Sequence, residues 1–118
     1  MGQAKRAWIY CRIDAPEDLH GALKRQRQQL MDYAEQMGCE VVGSSQDTGA
    51  SKQSGWPGVM LAEQAAKERQ IDALILDAPP PCFGEAASMA LPLLQSLERM
   101  GAAIYSPLRG KIRIGGSR

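Results

Sequence analysis

Four short apolar runs, separated by stretches with helical spacing, constrain this chain more than any other feature of its sequence. Ala7-Trp8-Ile9-Tyr10-Cys11, Glu40-Val41-Val42-Gly43-Ser44, Ile71-Asp72-Ala73-Leu74-Ile75-Leu76 and Ala102-Ala103-Ile104-Tyr105 each have the length and composition of a strand. Between them, Leu19, Leu23, Gln26, Leu30, Tyr33/Ala34 and Met37 recur at helical spacing until Gly38. Pro57 opens a second helix with Met60, Leu61, Ala65 and Ala66 on its apolar side, and a third covers about residues 85–100 until Gly101 by its Ala87, Ala90, Leu91, Leu94, Leu97 pattern. Pro92 falls inside that pattern and is expected to kink the helix or delay its start. Strands alternating with helices predict right-handed βαβ crossovers, hence a three-layer α/β/α domain around a mainly parallel sheet of four to five strands. Lys111-Ile112-Arg113-Ile114 alternates with period two, so residues 108–118 read either as an antiparallel edge strand or as a basic tail.

Composition removes several classes of function. At 118 residues, 44% of them hydrophobic and 23% charged, the chain suits one globular domain, and no apolar run approaches the ~18 residues of a membrane span. The basic N-terminus is not followed by a signal-peptide pattern, so the expected compartment is the cytoplasm. Cys11, Cys39 and Cys82 are widely spaced and lack a Cys-x-x-Cys pair, which reads as reduced thiols, and His20 has no companion ligands, so no metal and no cofactor is expected. A net charge of +1 supplies no global field toward nucleic acid. No acid follows Glu98, however, while Arg99, Arg109, Lys111, Arg113 and Arg118 do; Arg109, Lys111 and Arg113 are the candidates for phosphate contact.

In an open α/β sheet, chemistry sits beyond the carboxyl ends of the strands. The first run ends in Arg12-Ile13-Asp14, which is where a site should be; Gln26 falls on the inward stripe of the first helix, either hydrogen-bonded in the core or reaching that site, and the polar loop Gln46 to Gly55 after the second strand is of the kind that carries function. The bland reading of Arg12, Asp14 and Asp47 is an ion-paired cluster without a ligand. Two carboxylates without further regularly spaced oxygen ligands make a poor divalent-cation site. No glycine-rich phosphate loop is present, so a flavodoxin-like small-ligand binder would need a ligand-sized pocket at the strand ends.

Tyr10-Cys11-Arg12-Ile13, Leu23-Lys24-Arg25-Gln26-Arg27, Tyr33-Ala34-Glu35, Asp47-Thr48-Gly49-Ala50-Ser51, Pro57-Gly58 and the strand from Asp72 to Leu76 occur in an order and spacing that resembles the N-terminal catalytic domain of resolvase/invertase-type serine recombinases. The resemblance covers roughly residues 7 to 107. It implies a resolvase-like fold and a reaction in which a serine hydroxyl attacks a DNA phosphodiester, with guanidiniums neutralising the phosphate charge. It further implies DNA or another recombinase as partner, self-association, and no cofactor. Carried over residue by residue, the Tyr-x-Arg arginine is Arg12, the helix glutamine is Gln26, and the acidic and serine positions of the second loop are Asp47 and Ser51.

Four positions depart from the pattern. Asp14 stands where the resemblance places the nucleophilic serine, Trp56 where it places the arginine before Pro-Gly, Pro79-Pro80-Pro81 in place of Leu-Asp-Arg, and Gly84 in place of a further arginine. A carboxylate at position 14 repels a phosphate: two unit charges ~4 Å apart at an effective dielectric of ~20 interact by about 4 kcal/mol. Removing one preorganised charge-stabilising donor costs roughly 10²–10³ in rate, so loss of three and of the nucleophile leaves no route to strand exchange. The family's long helix and DNA-binding module after the catalytic domain are expected to be absent, since Pro107-Leu108-Arg109 leads to a basic tail. The expectation is a resolvase-like domain that has lost strand exchange and acts by binding protein or DNA. A functioning recombinase with an unrecognised nucleophile is the enzymatic alternative, favoured if Arg99 or Arg109 lies within reach of Asp14.

Overall fold

The computed structural model describes residues 4–13, 15–77 and 87–113, which form β1 (Arg6–Arg12), α1 (Ala22–Gln36), β2 (Glu40–Asp47), a 3₁₀ turn (Gly49–Ser54), α2 (Pro57–Lys67), β3 (Ala73–Leu76), α3 (Ala87–Arg99), β4 (Ala103–Ser106) and β5 (Gly110–Ile112). The strands make one sheet in the order β2-β1-β3-β4-β5, parallel except for the antiparallel β4–β5 pair. The three-layer resolvase-like α/β expectation holds, including the antiparallel edge.

The sheet is covered on both faces because its central strands are apolar on both sides. Ala7, Ile9, Cys11, Ala73 and Ile75 pack with Leu23, Leu30 and Ala34 of α1. Tyr10, Leu74, Leu76 and Ile104 pack with Val59, Ala62, Ala65 and Ala66 of α2 and with Leu94 and Leu97 of α3. Cys11 is buried and Cys39 half-buried, both free thiols; burial pushes the Cys11 thiol up to about 11, with Arg27 working weakly against it.

Several boundaries and one helix face differ from the sequence reading. α1 begins at Ala22 rather than Leu19, because the Asp18 carboxylate accepts from the backbone N–H groups of Ala22 (2.8 Å) and Leu23 (3.1 Å) and so sets the first turn there. Leu19 consequently stays outside the helix, exposed. β2 runs three residues beyond Ser44, to Asp47, and the loop that follows is largely a 3₁₀ turn. Of the apolar side expected for α2, Ala65 and Ala66 are buried but Met60 and Leu61 are exposed, and Gly58, Val59 and Ala62 take their place; small residues let the helix lie close to the sheet and to α3. Pro92 is accommodated inside α3, and β5 begins at Gly110. The proline run and Gly84 lie outside the described residues.

β1 and β2 are out of simple register between Ala7 and Trp8, where Val42 is skipped. Trp8 therefore lies over Gly43, where a Cβ would collide with the indole ring. Its Nε1–H donates to Ser45 Oγ at 2.8 Å, and that hydroxyl donates to the Gly58 carbonyl at 2.6 Å, linking β1 and β2 to the start of α2.

Candidate functional site at the strand ends

Parallel pairing brings the last residues of β1 and β2 side by side, with Arg12 in register with Asp47. Gln26 reaches this point from α1. Its Oε1 accepts the Arg12 backbone N–H at 2.8 Å and its Nε2 donates to the Arg12 carbonyl at 3.0 Å, so the amide is spent on the main chain where β1 leaves the sheet. Of the two roles open to a polar residue on that stripe, it takes the hydrogen-bonded one.

Asp47 is almost wholly buried, 1% exposed, although the sequence placed it in a polar loop. Burial of a carboxylate requires compensating donors. Tyr10 Oη–H donates to Oδ2 at 2.7 Å and the backbone N–H of Gly58 donates to Oδ1 at 3.0 Å. Gly58 is the second residue of α2, so Asp47 is also the anion at that helix N-terminus, where both the exposed N–H groups and the helix dipole favour negative charge. Burial raises the Tyr10 phenol far above its ordinary value, and donation to Asp47 raises it further. A Cβ on residue 58 would lie 2.8 Å from both Asp47 Oδ2 and the Gln46 carbonyl, which is why the helix start must be glycine here.

Trp56 completes the cluster. It precedes α2 in the left-handed region (φ 61°, ψ 63°), its carbonyl accepts from Val59 and Met60, and its side chain is 1% exposed. A bulky residue with positive φ is an outlier held by its surroundings. The Arg12 guanidinium carbon stands 4.8 Å from the centroid of a Trp56 ring, a cation–π contact. Trp56 Nε1 is buried with no hydrogen-bond partner among the described residues.

Of Arg12, Asp14, Gln26, Asp47 and Ser51, the structure thus brings together Arg12, Gln26 and Asp47, and it adds Tyr10, which the sequence offered only as the first residue of the Tyr-x-Arg motif and not as a site residue. Ser51 lies in the 3₁₀ turn between β2 and α2, and Asp14 lies outside the described residues. Arg99 closes α3 just before β4 begins, at the opposite end of the parallel sheet from Arg12. Arg109 sits in the β4–β5 turn, its N–H donating to the Ser106 carbonyl at 3.2 Å, at the Arg12 end but with β3 between β1 and the strand pair it joins. Lys111 and Arg113 are exposed on and just past β5. Three clefts lined by described residues lie away from the strand ends: between α1 and β2, and at the C-terminal ends of α2 and α3. Among the described residues no three His, Cys, Asp or Glu side chains converge as a metal site, and no helix is long and apolar enough to cross a membrane.

No protein-family profile matches the chain, and no curated protein matches it. Among solved structures, it is similar to the C-terminal catalytic domain of ISC1926 TnpA, an IS607-like serine recombinase, with a TM-score of 0.66 and 24% identity over 86% of this chain and 68% of that one. Together with the strand order and the antiparallel edge, that likeness establishes that this chain has the fold of a serine-recombinase catalytic domain.

Proposed function

We propose that the chain is a serine-recombinase-like domain that has lost strand exchange and acts by binding, with DNA, another recombinase or a second copy of itself as partner. One observation carries this reading: a buried tryptophan, Trp56, covers Arg12 at the position where the resemblance places a second arginine. Phosphoryl transfer needs cations open to the phosphate. Here the guanidinium faces an indole, Gln26 is committed to the backbone, and Asp47 is committed to Tyr10 and to the start of α2. Asp14 in place of the nucleophilic serine supports the same conclusion.

The test is a suicide-substrate assay for covalent protein–DNA adducts. Nicked duplexes that trap a recombinase after cleavage are expected to yield none with the native sequence. An adduct that maps to any hydroxyl of the chain overturns the proposal and installs the enzymatic alternative.

A further inference from the structure

We infer that the end of the domain opposite the strand-end cluster is a backbone-contacting surface for duplex nucleic acid. This deepens the binding role proposed above but uses none of the strand-end residues, so either can fail without the other. The C-termini of α2 and α3 lie side by side there, and Lys67, Arg69 and Arg99 line one cleft between them. The cleft reaches Gly101, which also borders a second cleft lined by Lys111, Arg113 and Glu98. Among the described residues, five cations thus follow one another across two adjoining depressions with one lining acid, Glu98. Of the nearby acids, Asp72 is ion-paired with Arg6 at 3.2 Å, while Glu68, which accepts from Gln64 Nε2 at 2.6 Å, keeps its charge and leaves the cations in excess.

Lys67 and Arg99, in the last turns of their helices, would suit the helix dipoles without any ligand. Arg69 does not follow from that. It occupies the left-handed position that closes α2 (φ 58°), with its N–H on the Ala66 carbonyl and the Gln70 N–H on the Ala65 carbonyl. The same closure ends α1 at Gly38 and α3 at Gly101, where glycine takes the positive φ at no steric cost. At the α2 closure a strained arginine stands where its two counterparts use glycine, and its side chain lines the basic cleft. These closures also occupy the terminal carbonyls of α2 and α3, removing acceptors that would oppose an anion.

The chemistry of the surface selects the ligand. Three of the five cations are guanidiniums, which pair bidentately with phosphate oxygens. Among the described residues, the large apolar side chains that line the clefts, Met100 and Ile112, are partly buried against the core, and none of the exposed large hydrophobics (Leu19, Val42, Met60, Leu61, Leu108) lines either cleft, so a peptide or a lipid surface finds no exposed apolar anchor there. Among the described residues neither lining contains an aromatic platform on which single-stranded bases would stack, which favours the regularly spaced phosphates of a duplex.

Fluorescence anisotropy of a labelled duplex of arbitrary sequence, titrated with the full chain at several salt concentrations, tests this. Binding should weaken steeply with salt, and Lys67→Gln/Arg69→Gly/Arg99→Gln should lower affinity at least 10-fold and flatten the log–log salt slope by about 2–3. The charge-matched α1 variant Lys24→Gln/Arg25→Gln/Arg27→Gln should bind like the native chain. Arg69→Gly alone should melt at or above the native temperature while weakening binding, which separates loss of a contact from loss of fold. The inference is overturned if the native chain shows no salt-dependent duplex binding, if the two triple variants bind alike, or if a single strand of equal length binds as well as the duplex.

Discussion

The Tyr10 hydroxyl donates to the buried Asp47 carboxylate at 2.7 Å, and the other oxygen of that carboxylate holds the N–H of Gly58 at 3.0 Å. One side chain therefore joins the end of β2, the middle of the sheet and the start of α2. Charge-assisted hydrogen bonds of this kind contribute roughly 1.5–3 kcal/mol each. Asp47→Ala is expected to destabilise the domain by about 3–5 kcal/mol, and Tyr10→Phe by about 1–3 kcal/mol, read from urea denaturation midpoints at unchanged slope. A loss below about 1 kcal/mol for Asp47→Ala would show that the carboxylate is not an anchor of the fold.

Gly58→Ala tests the same contact from the other side. Its new methyl meets a backbone carbonyl and the fixed carboxylate, neither of which can move without breaking the helix start. Overpacking of this kind costs about 1–3 kcal/mol, against a helix-propensity gain of at most about 1 kcal/mol, so destabilisation wins. Thermal melts of the variant should fall below those of the native chain.

Trp56 poses two opposed effects. Trp56→Gly relieves a left-handed backbone, worth about 1 kcal/mol, but empties a fully buried indole site, which costs about 3–5 kcal/mol. The net expectation is a loss of about 2–4 kcal/mol, so the tryptophan is held for what it fills. Equal or greater stability in the glycine variant would show that strain dominates.

At Arg69 the balance is reversed, because the side chain is exposed and leaves no cavity. Arg69→Gly is expected to raise stability by up to about 1 kcal/mol, seen as a higher melting temperature. A lower one would mean that the arginine makes a contact that offsets its backbone cost.

Stability should also fall at both extremes of pH. Hydrogen bonding from the Arg6 guanidinium, then from its backbone N–H, holds the Asp72 carboxyl below its ordinary value. At Asp18 some desolvation acts upward, but backbone donation from Leu23, Ala22, His20 and Gly21 outweighs it and the net shift is also downward. A depressed folded-state value contributes stability above the unfolded-state value near 3.9, and that contribution is lost as pH falls through the folded-state value. Tyr10 is raised, so its contribution is present below about pH 10 and declines above it, as the unfolded chain ionises first. Chemical denaturation as a function of pH should show an acid limb that Asp72→Asn flattens and an alkaline limb that Tyr10→Phe flattens.

The alternation of apolar strands and helical spacings determined the sheet, its three layers and the end at which Arg12 would stand, because hydrophobic periodicity is a local property of the chain. The helix stops at Gly38 and Gly101 and the start at Pro57 were legible for the same reason: each is set by the backbone preference of one residue, the freedom of glycine or the fixed φ of proline. Resemblance to serine recombinases was legible in short ordered motifs, and the fold agrees with it. Tertiary structure alone decided what those motif residues do. Asp47 looks like a loop acid until β2 extends to carry it under the start of α2, and Gln26 could have faced a ligand until α1 docked against the end of β1. Met60 and Leu61 read as core because hydropathy favours them over alanine, yet the close approach of α2 to the sheet and α3 selected the small residues. The contact of Arg12 with Trp56 joins positions far apart in the chain, and such contacts follow from packing, which no local pattern encodes.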